Sequence, residues 1–223
     1  MNTSLPRDEE RKAVRCIRAA AAVLFAAATV YAALSFALPA LPMPRMEYGI
    51  TRTGILLNAV LGLPLLYLAP LIERLLRHRL PAYLHIGFTL FLLGAMLLGN
   101  VFGFFRIVPH WDDLLHAGSS LLSGLFGAEL LRCGTSVPSS RAGKLTCALF
   151  AFCFAMAIGG VWEIAEYAGD SLFGMNAQRA LSIADGTPLA GHAALYDTMK
   201  DLIVDCVGAS CAALISGCAR RNA

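Results

Sequence analysis

Nine side chains able to bind metal or move protons fall into three short clusters of this chain. Asp197, Asp201 and Asp205 recur at a spacing of four. On a helix each such step drifts by only about 40°, so the three carboxylates share one face. Glu163, Glu166 and Asp170 stand at i, i+3 and i+7, and Asp112 and Asp113 precede His116 by four and three residues. Each of these sets also faces one way on a helix. Carboxylates around one imidazole suit Zn²⁺, Mn²⁺, Fe²⁺ or Mg²⁺, and there are ligands enough here for two ions. The expected metal ligands are Asp112, Asp113, His116, Glu163, Glu166, Asp197 and Asp201. Asp170 and Asp205 are the expected catalytic bases, and Arg106, Arg179 and Gln178 the groups to hold an anionic substrate.

The elements that must position these clusters are membrane spans. With 57 % apolar and 15 % charged residues, and a mean hydropathy of +0.64, the chain is too apolar for an ordinary soluble domain. Arg18 and Arg45 bracket 26 uncharged residues, Arg52 and Glu73 bracket 20, and Arg79 and Arg106 bracket 26 interrupted only by His85. Runs of about 20 residues are what a bilayer core of about 30 Å requires. The expected fold is all-α, a polytopic membrane protein with a six-transmembrane-helix bundle. A charged tail over 1–18 precedes spans at 19–38, 53–72, 81–105, 111–131, 145–173 and 196–219. Residues 174–195 form the longest connection outside the membrane. The first span is too long for a signal-peptide core and is followed by prolines at 39, 42 and 44 instead of a small-residue cleavage site. Pro64 and Pro70 are expected to bend the second span.

Lys and Arg bias sets the orientation. A cytoplasmic N-terminus puts thirteen of the eighteen basic residues inside, and only Arg45, Arg52, Arg106, Arg179 and Lys200 outside. Both termini are then cytoplasmic. The fourth span starts outside, the fifth ends outside and the sixth starts outside, so all three acidic clusters reach the same leaflet at one depth. Charged groups in an apolar region cost several kcal/mol unless paired or protonated (about 2.5–3.5 on insertion scales). A bound cation solves that economically. A proton or ion relay and a purely structural acid network are the alternatives.

Other polar residues read more plainly. Asn176 and Gln178 either orient a ligand or cap a turn, and Asp185 and His192 are expected in solvent. His85 is a packed histidine and Glu129 a snorkelling one-sided acid. Trp111, Trp162 and Tyr196 mark an aromatic belt. Gly159-Gly160 and Gly208-Ala209 allow close helix approach. The seven cysteines form no CxxC pair and read as small buried hydrophobes.

The pattern resembles the YjdF-like family of bacterial inner-membrane proteins, a domain family without an established function. The resemblance rests on Trp111-Asp112…His116, on Glu163 with Glu166, and on Tyr196-Asp197-Thr198…Asp201…Gly208-Ala209. Phe173-Gly174…Gln178 resembles the stretch before that last motif. The similarity covers roughly residues 53–215, with a longer linker between Gln178 and Tyr196 than the family's short connection. It implies a multi-pass protein of the bacterial cytoplasmic membrane and supplies no reaction.

Two functions follow as expectations. A metal-dependent membrane hydrolase would act on a phosphoester or on a lipid-linked or other anionic small molecule. A proton or divalent-cation transporter would need a polar path beyond the acids, where only Asn58, Asn100, Ser119, Ser120 and Ser123 offer themselves. A structural metal in a non-catalytic protein is the third reading. The bilayer is the expected partner, and nucleic acid is not.

Overall fold

The computed structural model describes residues 7–38, 40–41, 52–135, 140–182 and 185–218. Pro39, Pro42, Pro44, Arg45 and the C-terminal residues from Ala219 on lie outside them. The elements are α1 (Arg7–Ala37), α2 (Arg52–Leu65), α3 (Leu68–Leu76), α4 (Ala82–Leu92) continuing as a π-helical segment (Leu93–Val101), α5 (Phe104–Ile107), α6 (Trp111–Gly134), α7 (Arg141–Phe173) and α8 (His192–Cys218). Six stretches are long and apolar enough to cross a membrane: Asp8–Ala37, Arg52–Leu76, Ala82–Val101, Trp111–Gly134, Arg141–Phe173 and His192–Cys218. The protein is an all-α integral membrane protein, and the described residues contain no strand beyond one antiparallel bridge, Leu181 to Pro188.

Local chemistry explains the helix limits. The stretch read as a charged tail is helical from Arg7, and Asp8, Glu9 and Glu10 in its first turn complement the positive end of the helix dipole. The second span is broken at Leu66–Tyr67, between its two prolines. Pro70 has no N–H to return to the Leu66 carbonyl, and the chain crosses the gap with Tyr67 N–H donating to the Pro64 carbonyl at 3.0 Å. In the third, the wide π turn lets Asn100 donate to the Ala95 carbonyl and to Asn58 Oδ1 at 3.1 and 3.2 Å. Ser140 caps α7 by accepting Gly143 N–H, and Gly174 ends it in the left-handed conformation.

The helices form two compact units, α1–α5 and α6–α8. In the first, Ala21, Phe25, Ala28 and Ala32 make the buried stripe of α1, and α1 packs on α2, with the Phe25 ring seated against Gly62. In the second, α6, α7 and α8 each pack on the other two. Their buried stripes step mostly by four: His116, Ser120, Gly124 and Ala128 on α6; Gly143 through Cys147, Ala151, Ala155 and Gly159 to Glu163 on α7; Asp197, Asp201, Asp205, Ala209 and Ala212 on α8. Small residues at that spacing let helix backbones approach closely. Of the cysteines only Cys147 is buried, which corrects the reading of all seven as core residues; Cys16, Cys153, Cys211 and Cys218 lie on exposed helix faces.

Candidate metal centre in the second unit

The acids are interior because they occupy the packing stripe. At one end of α6, α7 and α8 the stripe is Gly, Ala and Cys; at the other the same register holds His116, Glu163, Asp197, Asp201 and Asp205. All five are buried, with Asp201 and Asp205 only 1 % exposed. Two glycines make the approach possible. A Cβ at Gly159 would collide with Asp205 Oδ2, and one at Gly208 would collide with the Ala117 carbonyl. Gly160, read with Gly159 as a contact, meets nothing within 4 Å.

The cluster has two layers. In the outer one the carboxylates have cationic partners. Arg179 lies 3.0 Å from Asp112 Oδ2 through Nη2 and donates to Asp197 Oδ1 at 3.0 Å through Nη1. Lys200 Nζ is 2.7 Å from Asp113 Oδ1, and His110 Nδ1 is 2.8 Å from Asp113 Oδ2. In the inner layer partners run out. His116 Nδ1 sits 3.3 Å from Asp205 Oδ1, and its Nε2 is 3.8 Å from Asp201 Oδ2 and 3.9 Å from Asp112 Oδ1. Both carboxylate oxygens of Glu163, Oδ1 of Asp201 and Oδ2 of Asp205 are buried without a hydrogen-bond partner. Lys200 Nζ, 3.7 Å from Asp201 Oδ1, is beyond hydrogen-bonding distance. Buried unpaired carboxylate oxygens are costly and demand a counter-charge (about 1–3 kcal/mol each, more when ionised).

Two triads have ligand atoms within 4.8 Å of one another: His116 with Glu163 and Asp201, and Asp112 with Asp197 and Asp201. The second already holds Arg179 between two of its members. In the first, Lys200 Nζ stays 3.7 Å from Asp201 Oδ1, no Lys or Arg among the described residues pairs with Glu163, and Asp205 adjoins it through His116. The donor set, one imidazole and two or three carboxylates, fits a divalent ion such as Zn²⁺, Mn²⁺ or Fe²⁺.

The connection after α7 is built rather than loose. Asp170 accepts the backbone N–H groups of Ala177 and of Gln178, the latter at 3.0 Å. Asn176 spans the next turn, its Nδ2 donating to the Leu181 carbonyl and its Oδ1 accepting Leu181 N–H. Residues 180–189 then pair back on themselves, Leu189 N–H to the Ala180 carbonyl and Ser182 N–H to the Thr187 carbonyl. Asn176 (φ 64°) and Arg179 (φ 48°) adopt the left-handed conformation, and that tight turn aims the guanidinium at α6 and α8. Burial disfavours the Arg179 charge, but the carboxylates of Asp197 and Asp112 outweigh it and hold the group above its usual value. At the hairpin tip, hydrogen bonds from Ser182 and Thr187 lower Asp185.

The structure therefore sorts the expected residues. His116, Glu163, Asp201 and Asp205 converge; Asp112, Asp113 and Asp197 form a neutralised rim. Glu166 Oε1 accepts Trp162 Nε1–H at 2.9 Å, and the carboxylate stays within electrostatic reach of Glu163, His116 and Asp112. Asp170 has both oxygens on backbone amides, so it is a clamp for the turn and not a free base. Gln178 donates to Thr198 Oγ1 at 3.0 Å and ties the loop to α8. Arg106 lies on α5 of the first unit. Glu129 pairs with Arg132 at 2.8 Å. His192 is exposed at the start of α8. Sequence reasoning passed over His110, and it named Lys200 only among the outer basic residues and Ser120 only as a polar candidate for a transport path. Lys200 was findable, since it stands three residues after Asp197 and beside Asp201. Ser120 donates to the Asp205 carbonyl at 2.7 Å, a helix-to-helix tie in place of a transport role.

Comparison with known proteins gives one family. The family model described as "Predicted membrane protein (DUF2238)" matches residues 17–222, nearly the whole chain, and is consistent with the YjdF-like resemblance. No curated protein matches the chain, and no solved structure does.

Proposed function

The chain belongs to the family of predicted membrane proteins DUF2238, and on that premise we propose that it is a divalent-metal-dependent membrane hydrolase acting on a phosphoester or lipid-linked substrate. The observation that carries the reading is the ring of buried carboxylate oxygens without partners, on Glu163, Asp201 and Asp205, around one imidazole. His116, Glu163 and Asp201 would hold the ion. Bound there, it would acidify a water molecule and polarise the scissile bond. Asp205, which keeps one free oxygen next to His116, is placed to take the proton of that water. Arg179 and Lys200 neutralise the rim carboxylates, so an anionic substrate meets a compensated entrance instead of bare acids. With the Lys/Arg bias deciding orientation, the site faces outward from a bacterial cytoplasmic membrane, and both termini are cytoplasmic.

The seam beyond Asp205 supports chemistry over transport. Ala151, Ala155, Ala209 and Ala212 are fully buried there, and no polar side chain but Ser216 is buried further along α8. A transporter would need that path to be polar.

The test is elemental analysis of detergent-purified protein, with His116→Ala and Asp201→Asn beside wild type, followed by a phosphoester and phospholipid substrate panel. One equivalent of transition metal in wild type, lost in both variants, with metal-dependent turnover on the panel, is the expected result. Metal without turnover on any substrate would reduce the site to a structural one. No metal, and no thermal stabilisation by added Zn²⁺, Mn²⁺ or Mg²⁺, would overturn the reading.

A further inference from the structure

A second polar cluster lies in the unit of α1–α5, where its long helices enter their apolar runs. The first turns of α1, α3 with the turn after it, and the start of α4 line a half-open cavity of about 610 Å³. That is the size of a small-molecule pocket (roughly 300–1,000 Å³). Arg11, Arg15, Arg18 and Arg79 line it against Glu10 and Glu73, leaving its walls with two positive charges in excess.

Glu73, the acid at the inner wall, is already engaged. Glu73 Oε1 accepts Leu80 N–H at 2.8 Å and lies 3.1 Å from His85 Nε2. Arg18 can only donate, so its 3.3 Å contact with His85 Nδ1 places the ring proton on Nε2, facing Glu73. The guanidinium of Arg18 also stands 5.9 Å over the Tyr67 ring, and its Nε is buried with no hydrogen-bond partner. Arg11, Arg15 and Arg79 make no ion pair among the described residues. Four arginines converging on a cavity, one with an orphaned buried donor, are a larger concentration of planar anion-binding groups than a solvated helix end requires.

We propose that this cavity binds a phosphate group, the chemistry shared by an anionic lipid headgroup and a free phosphate anion. Guanidinium forks match phosphate oxygens two at a time. Arg18 is the last charge before a long uncharged run. The cavity therefore lies at headgroup depth, on the side where the excess of Lys and Arg falls and where anionic lipids raise the local demand for basic pockets.

Native mass spectrometry of the detergent-purified full chain tests this, with phosphatidylglycerol, phosphatidylcholine or inorganic phosphate added separately. Wild type should retain one phosphatidylglycerol and much less phosphatidylcholine, whose choline offsets the charge. The Arg15→Gln/Arg79→Gln double variant, in which both altered side chains are exposed and unpaired, should melt like wild type without lipid. It should bind phosphatidylglycerol about tenfold more weakly or worse, the loss of a charge-assisted hydrogen bond or more. Arg11→Gln gives the same readout at a third position. Competition by inorganic phosphate would identify the free anion as the ligand, and its absence the lipid headgroup. Equal retention of the two lipids with no phosphate binding would overturn the proposal, as would a double variant that binds like wild type.

Discussion

Asp205 and Glu163 bear the electrostatic burden of the second unit, because both oxygens of Glu163 and Oδ2 of Asp205 are buried without a hydrogen-bond partner, while Asp205 Oδ1 has His116 Nδ1 at 3.3 Å. The two sides of the proposed metal site are therefore separable. Without metal, Glu163→Gln should raise the melting temperature by the equivalent of about 1–3 kcal/mol, since it removes a buried carboxylate neither of whose oxygens has a hydrogen-bond partner. With metal the same variant should lose the stabilisation that wild type gains. A variant less stable than wild type in both conditions would show that Glu163 is structurally compensated. Arg179 behaves oppositely. Arg179→Ala strands Asp112 and Asp197 and should cost about 1–3 kcal/mol, less than a deeply buried pair because the side chain is 31 % exposed. Acidification should expel the metal, because His116 and the carboxylates bind it only when deprotonated. Metal content titrated against pH reads this directly.

At the scale of the element, one repeat serves two purposes. Small residues at every fourth position of α7 and α8 draw the helices together, and the same register carries Glu163, Asp201 and Asp205 inward. Gly159→Ala should push Asp205 aside and lower both melting temperature and metal content. Gly160→Ala, one residue on and facing open space, should be neutral or stabilising by up to about 1 kcal/mol through helix propensity. Equal effects would remove the register argument. The clamp at the end of α7 makes a parallel case. Asp170→Ala releases two backbone amides and with them the turn that carries Arg179. It should destabilise the protein by about 1–3 kcal/mol yet leave metal stoichiometry at the wild-type value, which distinguishes a clamp from a ligand.

At the scale of the molecule, six spans taken with the Lys/Arg bias predict that the two ends of the chain lie on the cytoplasmic side and the Gly174–Gly191 connection on the other. Thr187→Cys, at the exposed hairpin tip, should react with a membrane-impermeant maleimide in intact cells once the native cysteines are replaced. A cysteine in place of Asp8, near the start of α1, should react only after the cells are opened. The reverse pattern would turn the protein over and put the metal centre on the cytoplasmic side.

Sequence alone determined what composition and period can encode. Uncharged runs of bilayer length set the number of spans. The i, i+4 spacing of Asp197, Asp201 and Asp205 put them on one face, and Pro64 and Pro70 marked where the second span bends. It could not rank the acids, because a carboxylate looks the same whether or not a cation meets it. Tertiary structure alone decided that ranking. Arg179 reaches Asp112 and Asp197 only because a left-handed turn and the Asp170 clamp fold the loop back over the helix ends. Lys200 takes Asp113 from a neighbouring helix. Glu163 and Asp205, on the tightest part of the seam, keep carboxylate oxygens that no group among the described residues hydrogen-bonds.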